Sequence, residues 1–390
     1  MRELLVETPA RLEHVIAVAH SAGRIGLDTE FLRERTYRAR LCLVQIAAGD
    51  EVYVVDALAK LDLKPVADLV AAADVETVVH AGRQDFDLLF EYFGVAPRRV
   101  FDVQVAAGFA GYGASLSLGR LVEEVVGEKL EKGEAYTDWC RRPLTPAQLH
   151  YAANDVVWLL SAADILAKKL HAQGRTAWAH EEMRGFEDPG IYGTDPNEAW
   201  RKVSGRGTLS AKKTAVLKAV ARWREETAAR RDIPRNWVVK EPTLVEIARR
   251  APKSLPALKA IRGMNAREAE RSAPELLSAI KDGLGQPPIP MPRQPPKDVL
   301  VRARMISGLA DVMVRARCER AGIATEVVTT RGEIEVLVAD LLSNGAHASA
   351  HRLLEGWRRQ LVGDAIVSLA QGRVAVRVVE GPPYVEEVVL

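Results

Sequence analysis

Cysteine is nearly absent from this chain. There are three in 390 residues, Cys42, Cys140 and Cys318, far apart, odd in number and in no metal-ligand spacing. This argues against a disulfide framework and against a cysteine-rich zinc site, and the expectation is three reduced thiols of a cytoplasmic protein. Long apolar runs are missing too. No stretch approaches the roughly 20 residues that a membrane-spanning helix needs. The opening residues, Met1 to Glu7, place Glu3 and Glu7 where a secretory leader would carry an apolar core. A membrane partner is therefore not expected.

What is present is ordinary globular material at 48% hydrophobic content, enough length for two or three domains. The net charge of +2 conceals an asymmetry. Residues 1–190 hold 21 Lys and Arg against 29 Asp and Glu, a net −8; residues 191–290 hold 20 against 11, a net +9; the remainder holds 13 against 12. An acidic part followed by a basic one suits metal chemistry beside a polyanion-binding surface.

Read in order, Glu3–Glu7 patterns as a short strand, and Thr8-Pro9 opens a helix to about Ser21. Ile25–Phe31, Leu41–Ala48 and Glu51–Asp56 pattern as strands, the last two joined by a turn at Gly49-Asp50. Helical and strand patterns then alternate: helix over Leu63–Ala73, strand at Thr77–His80, helix over Gln84–Tyr92. Further helices follow near Val103–Gly108, Leu116–Val126 and Pro146–Leu170. This predicts an α/β or α+β domain over residues 1–185, a breaker-rich linker over 186–198, and a basic helical region over 199–284. A proline-rich spacer follows over 285–297, then a second helical region over 298–390, similar enough in size to be a diverged repeat. The valine-rich tail from Val374 has strand or loose-end character.

The chemistry begins at Gly26-Leu27-Asp28-Thr29-Glu30-Phe31. On a strand Asp28 and Glu30 share a face. Two carboxylates there repel one another, and a divalent cation offsets that repulsion. Asp85 lies where the strand ending at His80 hands over to a helix, a favoured place for an ion site. Asp87 is equally acidic, but Phe86, Leu89 and Phe90 define a buried helix face next to Asp85. Taken alone, Asp85 reads more simply as an acid favouring a helix N-terminus. Asp155 lies on the helix that Thr145-Pro146 starts. Tyr151, four residues earlier, is rotated from it by about 40° and shares its face; His150, five earlier, is rotated by about 140°.

Each element is weak alone, but together and in this order they resemble the DEDD exonuclease superfamily, in its tyrosine branch. Residues 28–37, His80-Ala81, Phe101-Asp102-Val103-Gln104 and Thr137-Asp138-Trp139-Cys140-Arg141-Arg142-Pro143-Leu144 resemble the ribonuclease D family within it. Residues 199–284, with Trp200-Arg201-Lys202-Val203-Ser204-Gly205 and Asp232-Ile233-Pro234-Arg235-Asn236, resemble the helicase-and-ribonuclease-D C-terminal (HRDC) domain. Residues 298–375 resemble a more divergent second copy. The histidine branch of the superfamily also fits by spacing, through His150; the helix start at Thr145-Pro146 favours Tyr151.

The resemblance implies a ribonuclease H-like mixed sheet flanked by helices, followed by two all-α bundles. It implies two divalent cations, Mg²⁺ or Mn²⁺, about 3.5–4 Å apart. Asp28 would bridge both, Glu30 and Asp155 would complete one site, and Asp85 would support the other through water. Tyr151 would orient the attacking water, since a phenol of pKa near 10 is a poor base. It implies a monomer that trims RNA precursors, tRNA above all, from the 3′ end. Phe31, Gln84 and Arg33 are the nearest candidates for substrate contact. Arg35, Arg38 and Arg40 are equally suited to phosphate or to a solvated loop, and Trp139 to base stacking or to core. Arg201, Lys202 and Arg206, with Lys212 and Lys213, are candidates for RNA phosphates. The competing readings are a DNA exonuclease of the same fold and a non-catalytic RNA-binding protein.

Overall fold

The computed structural model describes residues 2–130, 137–290, 295–344 and 351–390. Within the proline-rich spacer, residues 291–294 therefore lie outside the described residues. The chain begins β1 (Arg2–Val6), α1 (Pro9–Ala22), β2 (Arg24–Leu32), β3 (Arg40–Ala48), β4 (Glu51–Asp56), α2 (Lys64–Val70), β5 (Glu76–Val79), α3 (Arg83–Phe93), β6 (Val100–Asp102) and α4 (Val103–Ala110). After α5 (Leu118–Leu121) come α6 (Pro146–Val157), α7 (Leu159–Ala172) and α8 (Thr176–Met183). The six strands form one mixed sheet in the order β1-β4-β3-β2-β5-β6. β2, β3 and β4 run as an antiparallel meander, and β5 and β6 extend β2 in parallel.

Strand periodicity sorts the two faces. Ile25 and Leu27 join Val44, Ile46, Tyr53 and Val55 in a core covered by α1, α2 and α3. The opposite face carries Gly26, Asp28 and Glu30 and lies under α6 and α7. Gly26 is fully enclosed there: a Cβ would stand 3.3 Å from Leu159 Cβ and 3.3 Å from the Val156 carbonyl oxygen. The missing side chain is what lets the α6–α7 junction approach the strand. The expected single helix from Pro146 is broken at Trp158.

The helical region comprises α9 (Ala211–Arg231), α10 (Arg235–Val238), α11 (Glu241–Arg250), α12 (Leu255–Lys259) and α13 (Ala266–Gly285). The last region comprises α14 (Lys297–Ala321), α15 (Thr325–Val328), α16 (Arg331–Asn344), α17 (Gly356–Arg358) and α18 (Asp364–Ala370). The tail is a hairpin, β7 (Val374–Val378) with β8 (Val385–Val389), the strand alternative of its valine pattern, so this region is a helical bundle with a hairpin added and not all-α throughout. The hairpin has a charged anchor to sit on, Arg317 of α14 bonding Glu387 at 2.6 Å. The two regions repeat one corner: a long helix, a left-handed residue (Asp232, φ 46°; Gly322, φ 58°), one helical turn, then a second helix, all at a constant offset.

The last region shares its core with the sheet domain. Met313, Val338, Trp357 and Ile366 fall in one apolar cluster with Phe109, Val156 and Leu166. Trp357 packs edge-on to Phe109 at 4.8 Å and stacks on Trp178 at 5.8 Å. The expected linker over 186–198 is a packed strap: Tyr192 is buried, stacks on Phe90 at 5.5 Å and bonds the Phe186 carbonyl. Its glycines and prolines shape tight turns here. The reduced-thiol expectation is also corrected, because Cys42 and Cys140 are joined. A sequence separation of 98 hides a spatial neighbourhood of Cα atoms 5.5 Å apart, fixed by Arg142. Cys318 is a buried free thiol.

Candidate active site

β2 delivers Asp28 and Glu30 from the face under α6, and α6 delivers Tyr151 and Asp155. α6 starts where expected, on a capping box in which Thr145 and Gln148 satisfy each other's backbone amides. One carboxylate oxygen each from Asp28, Glu30 and Asp155 lies within 4.8 Å of the others. Asp85, in the first turn of α3, is buried and accepts a hydrogen bond from the Thr29 hydroxyl. It lies outside that close trio, yet its charge acts on Asp28 more strongly than that of Asp155 or Glu30.

The electrostatics are those of an uncompensated acidic cluster. Burial, then Asp85, Asp155 and Glu30, holds Asp28 well above the usual carboxylate range. Burial, then Asp155 and Asp85, pushes Glu30 up to about 8. Burial raises Asp155 to about 7. It raises Asp85 to about 6, opposed by the Thr29 hydroxyl. Tyr151 is pushed up to about 12 by burial and then by Asp155, Glu30 and Asp28, which keeps its hydroxyl protonated. A divalent cation with oxygen ligands at about 2.0–2.6 Å needs such a set converging within a few ångström. The oxygen-only donors therefore fit a hard cation, and the charge of the ion would offset the repulsion.

His150 is exposed on α6, whereas Tyr151 is half-buried and within electrostatic reach of three of the carboxylates. Gln84 is exposed in the first turn of α3. A cleft of about 640 Å³ opens from Glu30, lined among others by Phe31, Arg35, Arg40, Asp138 and Trp139. Arg33 lies 5.6 Å from the Phe31 ring, and Arg38 faces Glu91 at 3.9 Å. Trp139 is buried and packs at 5.9 Å on Tyr151, so its place is core behind the tyrosine. Arg201, Lys202 and Arg206 are exposed on the basic helical region, and none of them is brought into the acidic trio. Arg201 is paired with Glu198 and lies over Trp200, and Lys212 bonds the Gln286 carbonyl.

Two positioning residues escaped the sequence reading. Asp102 is buried and caps α4, accepting from Gln104 N at 2.8 Å and Val105 N at 3.3 Å. Its carboxylate also accepts from Ala81 N and Gly82 N, pinning the turn that leads into Asp85. That turn is tight: Ala81 has φ 56°, and a Cβ on Gly82 would meet Val79 at 2.5 Å. An Asp directly before a helix was the available signal. Arg142 bonds Asp56 at 2.5 and 2.6 Å, the Trp139 carbonyl at 2.7 Å and the Cys42 carbonyl at 3.0 Å. It fixes the loop that seats Trp139, and no local pattern announces such a role.

The family described as 3′-5′ exonuclease matches residues 4–171, and the HRDC domain family matches residues 213–280. Ribonuclease D of Nitrobacter hamburgensis is 37% identical over 97% of both chains. The chain belongs to the ribonuclease D family. Ribonuclease D of Gluconacetobacter diazotrophicus is 35% identical over 96% of this chain and 94% of its own. The crystal structure of Escherichia coli RNase D, an exoribonuclease involved in structured RNA processing, superposes with a TM-score of 0.82 at 29% identity. It covers 95% of this chain and 99% of that one. The ribonuclease D family is one of hydrolytic exoribonucleases, and this chain carries its exonuclease and HRDC parts. Among the described residues no helix is long and apolar enough to cross a membrane.

Proposed function

We propose that this protein is a cytoplasmic 3′→5′ exoribonuclease that trims the 3′ ends of structured RNA precursors, tRNA among them, and releases nucleoside 5′-monophosphates. The observation that supports this best is the convergence of Asp28, Glu30 and Asp155 within 4.8 Å, with Tyr151 in electrostatic reach of all three, beside an arginine-lined cleft that opens from Glu30.

Asp28 would hold two cations, Mg²⁺ or Mn²⁺; Glu30 and Asp155 would share one of them and Asp85 would support the other. When bound, such a pair supplies an activated water and charge stabilisation at the leaving 3′ oxygen. Tyr151 keeps its proton at neutral pH and orients the attacking water by hydrogen bonding. Thr29 holds Asp85, and Arg142 with Trp139 backs the Tyr151 ring, so both partners of the reaction are held on rigid elements. Arg35 and Arg40 in the cleft attract the terminal phosphates, while Arg33 steadies Phe31 for contact with the last base. Gln84, exposed beside Asp85, is placed as a further substrate contact. The exposed Arg201, Lys202 and Arg206 bind RNA further from the end without reading sequence.

The purified protein is expected to shorten a 3′-extended tRNA in Mg²⁺ or Mn²⁺ and to leave it intact in EDTA. Undiminished activity in EDTA would sink the metal mechanism. Matched DNA strands test the deoxyribonuclease reading, and RNA binding with no nucleotide release would favour the non-catalytic one.

A further inference from the structure

The loop between β2 and β3 is an arm of the nuclease domain that ends inside another domain. Its first half lines the substrate cleft through Glu34, Arg35 and Thr36. Its second half leaves the cleft: Tyr37 packs against the apolar core of the first helical region. The corner after α9 receives it. Asp232 accepts from Tyr37 N at 3.1 Å and Arg38 N at 3.5 Å. The Tyr37 hydroxyl donates to Glu225 at 3.1 Å. Glu225 is buried and is held in turn by Arg235 at 2.5 Å, whose guanidinium also lies 5.1 Å from the Tyr37 ring.

A loop carrying four exposed or half-exposed charged side chains has little reason to keep one shape on its own. The far end is tied by Tyr92, which bonds the Ala39 carbonyl and the Leu41 amide. Between Leu32 and Ala39, the ties that cross to another domain are those at Tyr37 and Arg38. We propose that the first helical region, by gripping Tyr37 and Arg38 through Asp232 and Glu225, positions the Glu34–Thr36 wall of the nuclease cleft. It thereby sets the affinity of that cleft for the 3′-terminal nucleotides. Tyr37 and Asp232 are positioning residues, since neither touches the carboxylates. The proposal rests on the reading of the cleft as the RNA site.

Asp232 sits at φ 46°, a conformation glycine adopts freely, so Asp232→Gly removes the grip while leaving the helix corner its preferred shape. Asp232→Asn keeps an acceptor oxygen and serves as the rescue. Two readouts are taken on the full chain. Trypsin nicking after Arg35 and Arg38 reports the loop without reference to catalysis. Steady-state hydrolysis of a short oligoribonucleotide in Mn²⁺, too short to reach Arg201, reports the cleft. In Asp232→Gly, nicking is expected to speed up about tenfold. KM is expected to rise about tenfold with kcat within about twofold, the signature of lost uniform binding. Asp232→Asn should behave as the native chain, and Tyr37→Phe should shift both readouts in the same direction by less. Unchanged nicking, or an unchanged KM, in Asp232→Gly overturns the proposal. A native chain that releases no nucleotide overturns the exonuclease reading instead, and the nicking arm still decides the grip.

Discussion

Gly26 and Val156 are in direct contact: a Cβ on Gly26 would stand 3.3 Å from the Val156 carbonyl oxygen, one residue from Asp155. The distance between the β2 carboxylates and the α6 carboxylate is therefore set by a side chain that is absent. Gly26→Val forces α6 outward. Overpacking of this kind destabilises by about 1–3 kcal/mol. A displacement near 1 Å at the site is expected to lower kcat about a hundredfold. Thermal unfolding and single-turnover rates measure the two effects; a fully active Gly26→Val would refute the coupling.

Asp28→Asn separates stability from activity. The folded-state pKa values of Asp28, Glu30, Asp85 and Asp155 all lie above the ordinary range, so the native chain holds protons that the unfolded chain has released. The contribution of these four groups to the stability of the metal-free protein is thus fullest below about pH 4 and falls away as pH rises towards about 8. Melting in EDTA should show that decline, and Asp28→Asn should flatten it while abolishing nuclease activity. Stabilisation by Mn²⁺ should grow over the same pH window, because the ion displaces those protons.

Tyr151→Phe removes a hydroxyl and keeps the ring against Trp139. We expect kcat to fall roughly 100-fold, at the low end for a lost positioned proton-bearing group, because the hydroxyl orients the water and does not take its proton. Mn²⁺ affinity by calorimetry should be unchanged, because Tyr151 is not among the cation-holding carboxylates. His150→Ala, altering an exposed side chain one residue away, should stay within about twofold of the native rate.

Asp102→Ala strands the Ala81 and Gly82 amides together with the first amides of α4. Loss of a buried charged acceptor of this kind is expected to destabilise by about 2–4 kcal/mol. Activity should fall even in chains that remain folded, since the turn into Asp85 loosens. Asp102→Asn should recover much of the stability. Denaturant titration beside activity at low temperature checks both.

The alternation Ile25–Leu27 against Asp28–Glu30 could be read directly, because one face of the strand is fully apolar. So could the start of α6, because Thr145, Pro146 and Gln148 form a local cap. The break at Trp158 was invisible: the helical pattern runs through it, and only the packing of the junction on Gly26 shows where the chain turns. β6 is three residues long and has no period to detect. The strap around Tyr192 has the sequence pattern of a linker because breakers mark tight packed turns as readily as loose ones. Arg142, the Cys42–Cys140 pair and the Tyr37 grip are contacts between distant segments, for which a single chain offers no local pattern. The same holds for Trp139, whose neighbour Tyr151 had to be placed before its own role could be decided.

The shared core has a consequence for how the protein is made. Phe109 and Trp178 leave the ribosome long before Trp357, which covers them. Until the last region has been synthesised, the nascent exonuclease domain carries an uncovered aromatic face. Completion of its fold thus waits for the last region, and a chain truncated after residue 290 would present that face to chaperones and to other chains.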